Sequence, residues 1–249
     1  MIDYLKDIVK HCGPFSPLHI CKINGTADST SLLALDETIN IVIRANFHQP
    51  IAEFIGVFGL LDLGKLNTIL NIPEYDEGAK ITIRSTPRSG GVSLDGLEFE
   101  NKVGDFKNFY RFVSQSVIEA KSRDLKDRQF PNASVVFSPS VQSIQRLKFQ
   151  AQAHNGDELV SIQTVNDELR FNFGDISSNV GSYTAHKFTD GKSKLNHTYM
   201  WPVSYLQTAL NLPGDKEISI IEIAPSALLV IKIDSGLGAY EFKFPSQGK

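Results

Sequence analysis

The chain has 249 residues, 41% of them hydrophobic and 21% charged, with a formal net charge of −3. That length allows two domains or one large β domain, and no apolar run approaches the roughly 20 residues that span a bilayer. The slightly acidic balance argues against a protein that grips nucleic acid tightly by neutralising phosphates over its whole surface.

Residues 2–12 read as a short amphipathic helix. Ile2, Leu5, Ile8 and Val9 share one face, while Lys6 and Lys10 sit one turn apart on another. Pro14 and Pro17 end it. Asp3, Lys6, Asp7 and Lys10 also interrupt any secretory h-region, so the expected compartment is the cytoplasm. Strands are expected at 18–23, 31–35 and 39–46, punctuated by Asn24-Gly25 and Asp36-Glu37. β character continues over 51–58. Asp62 is placed to cap a helix over 63–71. Alternating segments follow at 80–85, 91–94 and 109–118.

The stretch 120–132 is dense in charge, with Lys121, Arg123, Asp124, Lys126, Asp127 and Arg128. It reads as a connector at 123–133 between domains at 1–122 and 134–249. Ser138, followed by Pro139, is placed to cap a helix over 140–153. Strands are expected at 159–165, 168–173 and 181–188, a helix at 203–211, and strands at 217–223, 228–233 and 239–244.

The second half thus repeats the first. Leu70-Asn71-Ile72-Pro73 recurs as Leu210-Asn211-Leu212-Pro213, 140 positions later. Leu63, Leu66 and Leu70 lead into one copy; Val203, Leu206 and Leu210 lead into the other. A matched helix, stop and strand points to two similar domains in tandem. Many short strands with few helices point to antiparallel sheets, hence an α+β class.

Signals for catalysis are missing from the sequence. Ser89-Gly90-Gly91 is a glycine pair in a turn, with no Gly-Lys-Ser/Thr after it. The six histidines show no helical metal spacing. Cys12 and Cys21 read as buried free thiols. The paired acids Asp36-Glu37, Asp157-Glu158 and Asp167-Glu168 sit in turns, where solvation explains them. No metal, cofactor or enzymatic activity is expected.

The helices carry more. On the 140s helix, Val141, Ile144, Leu147 and Ala151 form an apolar stripe, with Gln142, Gln145, Arg146 and Gln150 opposite and Lys148 at the edge. Across three helices the outward positions hold Lys6, Lys10, Lys65 and Arg146, against acids only at Asp3 and Asp7. Ordinary solvated faces would look the same.

Three stretches resemble DNA polymerase sliding clamps, the ring-shaped processivity factors that include proliferating cell nuclear antigen. Residues 60–70, Leu-Leu-Asp-Leu-Gly-Lys-Leu-Asn-Thr-Ile-Leu, resemble a first-domain helix of tailed-bacteriophage clamps. Ser134-Val135-Val136-Phe137-Ser138-Pro139, leading to Ile144 and Leu147, resembles the start of a second clamp domain. Residues 238–245, Gly-Ala-Tyr-Glu-Phe-Lys-Phe-Pro, resemble the aromatic last strand of many clamps.

The resemblance implies two tandem clamp-type domains, with antiparallel sheets outside and two helices per domain facing a central hole. It implies a homotrimeric ring that encircles duplex DNA, joined through the edges 109–118 and 181–188. It implies a clamp-loader ATPase and a DNA polymerase as partners, with host cytoplasm as the location if the source is viral. Lys6, Lys10, Lys65, Arg146 and Lys148 would face DNA. Leu35, Phe130, Pro131, Phe242 and Pro245 would form a pocket for partner peptides, although Leu35 and Phe242 read equally well as core. Two features depart from the family pattern: the 203–211 helix lacks Lys and Arg, and the connector is rich in charge. The alternative class is a non-enzymatic, β-rich protein with duplicated domains, a structural or binding component of a virion or assembly. An enzyme with an unrecognised site is a third.

Overall fold

A computed structural model describes residues 1–15, 18–36, 38–76, 78–88, 91–121, 132–174, 179–213 and 219–248. The chain divides into two compact units, Met1–Asp127 with Ser235–Tyr240, and Arg128–Asp234 with Glu241–Lys249. Of the connector expected at 123–133, only the last two residues are described.

The first unit runs α1 (Ile2–Cys12), β1 (Leu18–Gly25), β2 (Thr30–Asp36), β3 (Val42–Phe47), β4 (Gly56–Leu60), α2 (Leu63–Leu70), β5 (Lys80–Arg88), β6 (Gly91–Glu100), β7 (Lys107–Arg111) and α3 (Gln115–Lys121). Its sheets are ordered β4-β1-β2-β3 and β5-β6-β7, and every pairing within them is antiparallel. The second unit runs β8 (Val135–Phe137), α4 (Val141–Ala153), β9 (Leu159–Val165), β10 (Glu168–Phe173), β11 (Gly181–Lys187), β12 (Tyr199–Pro202), α5 (Val203–Leu210), β13 (Ser219–Ile223) and β14 (Leu228–Asp234). The last strand, β15 (Gly238–Pro245), contributes residues to both units.

The duplication shows in the strand order. In each unit the first of four strands pairs with the second and the fourth, giving β4-β1-β2-β3 and β12-β9-β10-β11. A helix of eight residues follows each set, α2 and α5, with Asn71 and Asn211 at their C-terminal caps. The expected α+β class with tandem, similar antiparallel domains is observed.

Each sheet buries one face. Along β2 the inward positions Thr30, Leu32, Ala34 and Asp36 are buried, and Ser31, Leu33 and Leu35 between them are half-buried. This is the period-two pattern of a strand covered on one side. Leu5 and Ile8 of α1 and Leu66 of α2 are fully buried together with Ile23 and Ile43, and the two helices pack against each other. In the second unit Leu147, Leu206, Val160, Ile162 and Trp201 play the same part. The Trp201 indole donates to the Phe244 carbonyl at 2.9 Å, which satisfies its one polar atom inside the core. Gly25 is required by close approach: a Cβ there would lie 1.5 Å from the Phe54 carbonyl oxygen.

Several expected elements differ. The β segment 51–58 begins only at Gly56, because the chain turns after Pro50 and the Phe54 amide closes onto the Ile51 carbonyl at 2.8 Å. The strand at 39–46 begins at Val42, since Ile39 takes a left-handed φ of 58°. The strand at 109–118 stops at Arg111, and the Ser114 carbonyl then accepts from the Val117 and Ile118 amides to start α3. Asp62 caps α2 as expected, its Oδ1 accepting from the Lys65 amide at 3.0 Å. Ser138 does not cap α4. Ser140 does, its Oγ accepting from the Ser143 amide at 3.1 Å. Residues 217 and 218 of the expected 217–223 strand lie outside the described residues. Strands β8 and β12 have no counterpart among the expected elements.

Candidate nucleic-acid interface and partner surfaces

On α1, burial of Leu5, Ile8, Val9 and Cys12 leaves Lys6 and Lys10 exposed one turn apart. Asp7 does not share their face. It is buried: Oδ2 accepts from the Tyr240 hydroxyl at 2.7 Å and from Ser235 Oγ at 3.0 Å, and Oδ1 lies 3.1 Å from His11 Nδ1. The expectation that Asp7 is an outward acid is therefore corrected, and the exposed face of α1 is more basic, with Asp3 its one exposed acid. Burial, with the carboxylate beside it, drives the Tyr240 phenol far above its ordinary pKa. Lys65 is exposed on the adjacent α2, whose Leu66, Ile69 and Leu70 are buried.

In the second unit α4 packs beside α5 and against β11. Arg146 is exposed and Lys148 half-buried, consistent with a stem packed along the helix edge. Neither α4 nor α5 contains an acid. The apolar stripe differs from expectation: Val141 is 73% exposed, and Ser143 joins Leu147 on the buried side. Val141 is the first helical residue, where the chain arrives from outside and the helical period does not yet decide burial. Phe149 is 66% exposed, three positions beyond Arg146, and its helical spacing alone gives no reason to single it out.

The structure therefore brings Lys6, Lys10 and Lys65 onto two packed helices of the first unit, and Arg146 and Lys148 onto one helix of the second. Of the residues expected to receive partner peptides, Leu35 is half-buried on β2, Phe242 is completely buried in β15, and Pro245 is exposed at its end. Phe130 and Pro131 lie outside the described residues.

Of the two expected edges, 109–118 is strand only as far as Arg111, in β7, which ends the β5-β6-β7 sheet, while 181–188 is covered by β11, which ends β12-β9-β10-β11. β11 is tied to β10 by Glu168, whose carboxylate meets Lys187 Nζ at 2.6 Å, Arg170 at 3.0 Å and Thr184 Oγ1 at 3.0 Å. These donors, led by Lys187, lower the Glu168 pKa from 4.5 to about 2.

Cys12 and Cys21 are buried free thiols. Their mutual hydrogen bond and burial push the Cys12 pKa up, so this thiol is inert rather than nucleophilic. Among the described residues no three His, Cys, Asp or Glu side chains are grouped to hold a metal ion, and no helix is long and apolar enough to cross a membrane.

Solved structures share this fold over the whole chain. PCNA from Thermococcus kodakaraensis superposes with a TM-score of 0.66 at 14% identity, covering 99% of this chain and 97% of its own. PCNA from A. fulgidus, solved with the C-terminal region of FEN-1 bound, superposes with a TM-score of 0.65 at 14% identity, covering 100% and 96%. The chain has the fold of PCNA sliding clamps. No protein-family model matches it, and no curated protein matches it in sequence. At 14% identity the likeness concerns the fold and leaves the chemistry of the surfaces to this chain's own residues.

Proposed function

We propose that the chain is a DNA polymerase processivity factor, a non-enzymatic scaffold that closes as a homotrimeric ring around duplex DNA and tethers a polymerase. The observation that carries this reading is the end-to-end match to PCNA, with neither chain leaving a large part uncovered. The net charge of −3 suits it. A closed ring holds DNA by topology and needs only weak phosphate contacts, which also let it slide.

In this reading the domains are 1–122 and 134–249, joined by the 123–133 connector. Lys6, Lys10, Lys65, Arg146 and Lys148 face the hole and meet phosphates without reading bases. The edges β7 and β11 of neighbouring subunits pair, as unpaired strand edges readily do, and the head-to-tail contact closes on itself. A clamp-loader ATPase opens the ring. Leu35 and Pro245, with Phe130 and Pro131 of the connector, receive partner tails in this reading, while Phe242 is a buried core residue. The 60–70 stretch favours the tailed-bacteriophage branch of clamps.

The test is topological. The chain is mixed with circular duplex DNA, cross-linked and washed in high salt. Rings closed around the circle should stay bound until the DNA is linearised and then fall off. Loss in the salt wash, or retention after linearisation, contradicts encirclement.

A further inference from the structure

On α4 the cations account for contact with phosphates, and Phe149 does not. Its ring is 66% exposed. It stands on the face that the fold leaves open: Gln142, Gln145, Arg146, Phe149 and Gln152 are exposed, while Ser143 and Leu147 are buried. Gln142, Gln145, Phe149 and Gln152 recur at helical spacing and so form one row, with Arg146 beside it between Gln142 and Phe149.

The charge of this face has one sign. No Asp or Glu occurs in α4, nor in β11 and α5, the elements packed closely against it. The first acid after α4 is Asp157, and it lies 3.4 Å from His154 Nδ1 beyond the end of the helix. The exposed row thus offers a guanidinium, three amides and one aromatic ring. Those groups complement a polyanion that carries flat apolar faces and polar edges of its own, which is the chemistry of a nucleic acid.

An intact duplex gives the ring no partner. Its bases cover one another, and reaching a base face means unstacking a step, at a cost in free energy and with a kink. In an unpaired strand the base faces are open, and an aromatic side chain stacks on them whatever the base. Arg146 and Phe149 are i and i+3 on one helix, with Cβ atoms about 5–6 Å apart. One nucleotide can therefore meet both, its phosphate at the guanidinium and its base on the ring, with the glutamine amides at the base edges or the sugar.

We infer that the exposed face of α4 binds single-stranded nucleic acid, an unpaired base stacking on Phe149 while Arg146 holds a phosphate of the same strand. The inference rests on the reading of α4 as a DNA-facing helix and adds a preference to it: where a duplex passes into a single strand, Phe149 engages the single-stranded side.

The probe is a fluorescein-labelled oligothymidine of about 12 nucleotides, within the span of a single-strand site, titrated with the full chain by anisotropy beside a duplex of equal length and beside the same oligonucleotide carrying abasic residues at its centre. The single strand should bind more tightly than the duplex. Phe149→Ala should weaken single-strand binding about tenfold, as loss of one stacked base does, and leave duplex binding unchanged. Phe149→Trp should retain the affinity and Phe149→Leu should not, which separates stacking from mere apolar contact. Arg146→Gln should weaken both forms. The abasic strand should bind the wild type as weakly as the intact strand binds Phe149→Ala, a comparison that needs no variant to fold. Equal wild-type affinity for abasic and intact strands, or full affinity in Phe149→Ala, would overturn the proposal. So would duplex binding that falls as far as single-strand binding in Phe149→Ala, or a smaller native mass in that variant, which would give the ring to a second copy of the chain. Duplex bound and single strand not bound overturns this proposal alone; neither form bound overturns the DNA-facing role of α4 with it.

Discussion

The Tyr240 hydroxyl donates a 2.7 Å hydrogen bond to the carboxylate of Asp7, 233 residues earlier in the chain. Ser235 donates to the same oxygen at 3.0 Å, and His11 stacks on the Tyr240 ring with centroids 4.3 Å apart. The start of β15 is thus fastened to α1, the helix that displays Lys6 and Lys10. A buried carboxylate is tolerable because donors surround it.

Removing that acceptor should be costly. Asp7→Ala takes an acceptor from both Tyr240 and Ser235, and is expected to cost about 3 kcal/mol, while Tyr240→Phe leaves the Ser235 bond and should cost about 1 kcal/mol. Urea unfolding of both variants checks this. A wild-type midpoint for Asp7→Ala would mean that the cluster does not stabilise the unit.

Glu168 predicts a pH signature. Its pKa is lowered from 4.5 to about 2 by Lys187, Arg170 and Thr184. A depressed carboxylate contributes its stabilisation above the unfolded value and loses it as pH falls through the folded one. The tie between β10 and β11 should therefore hold at pH 5 and loosen between about 4.5 and 2. ¹³C NMR of the Glu168 carboxyl should titrate near 2, and Lys187→Met should move the midpoint back up. A wild-type midpoint at 4.5 would show that these contacts do not persist in solution.

Lys6, Lys10 and Arg146 are exposed, so changing all three to Glu should leave thermal unfolding unchanged. Binding to a short duplex should weaken, and the slope of log affinity against log salt should shrink by about 0.9 for each phosphate no longer neutralised. An unchanged slope would remove these residues from the DNA-facing surface.

For the tail pocket, the burial of Phe242 dictates the variant. Replacing it would damage the core, whereas Leu35→Ser and Pro245→Ser alter a half-buried and an exposed position. A polymerase C-terminal peptide with aromatic anchors should bind the wild type at roughly micromolar strength, about 8 kcal/mol, and the double variant not measurably, with assembly intact. Equal affinity would place the pocket elsewhere.

What the sequence discloses follows a physical divide. The Leu63–Leu70 and Val203–Leu210 helices are legible because a local apolar period and a hard stop at Asn-Ile-Pro and Asn-Leu-Pro specify them without help from the rest of the chain. The Asp62 cap is legible for the same reason. Asp7 is not: by helical period it belongs near the surface, and only partners more than 200 residues away draw it inside. The 109–118 segment misleads because alternation through Arg111 gives way to a helical turn at Ser114 without a proline or glycine to mark the change.

The central claim is closure into a ring, and the native mass tests it most directly. Sedimentation equilibrium of the full chain at high micromolar concentration should give three times the mass of one chain. A single species at the monomer mass, unchanged as concentration rises, would contradict the clamp account.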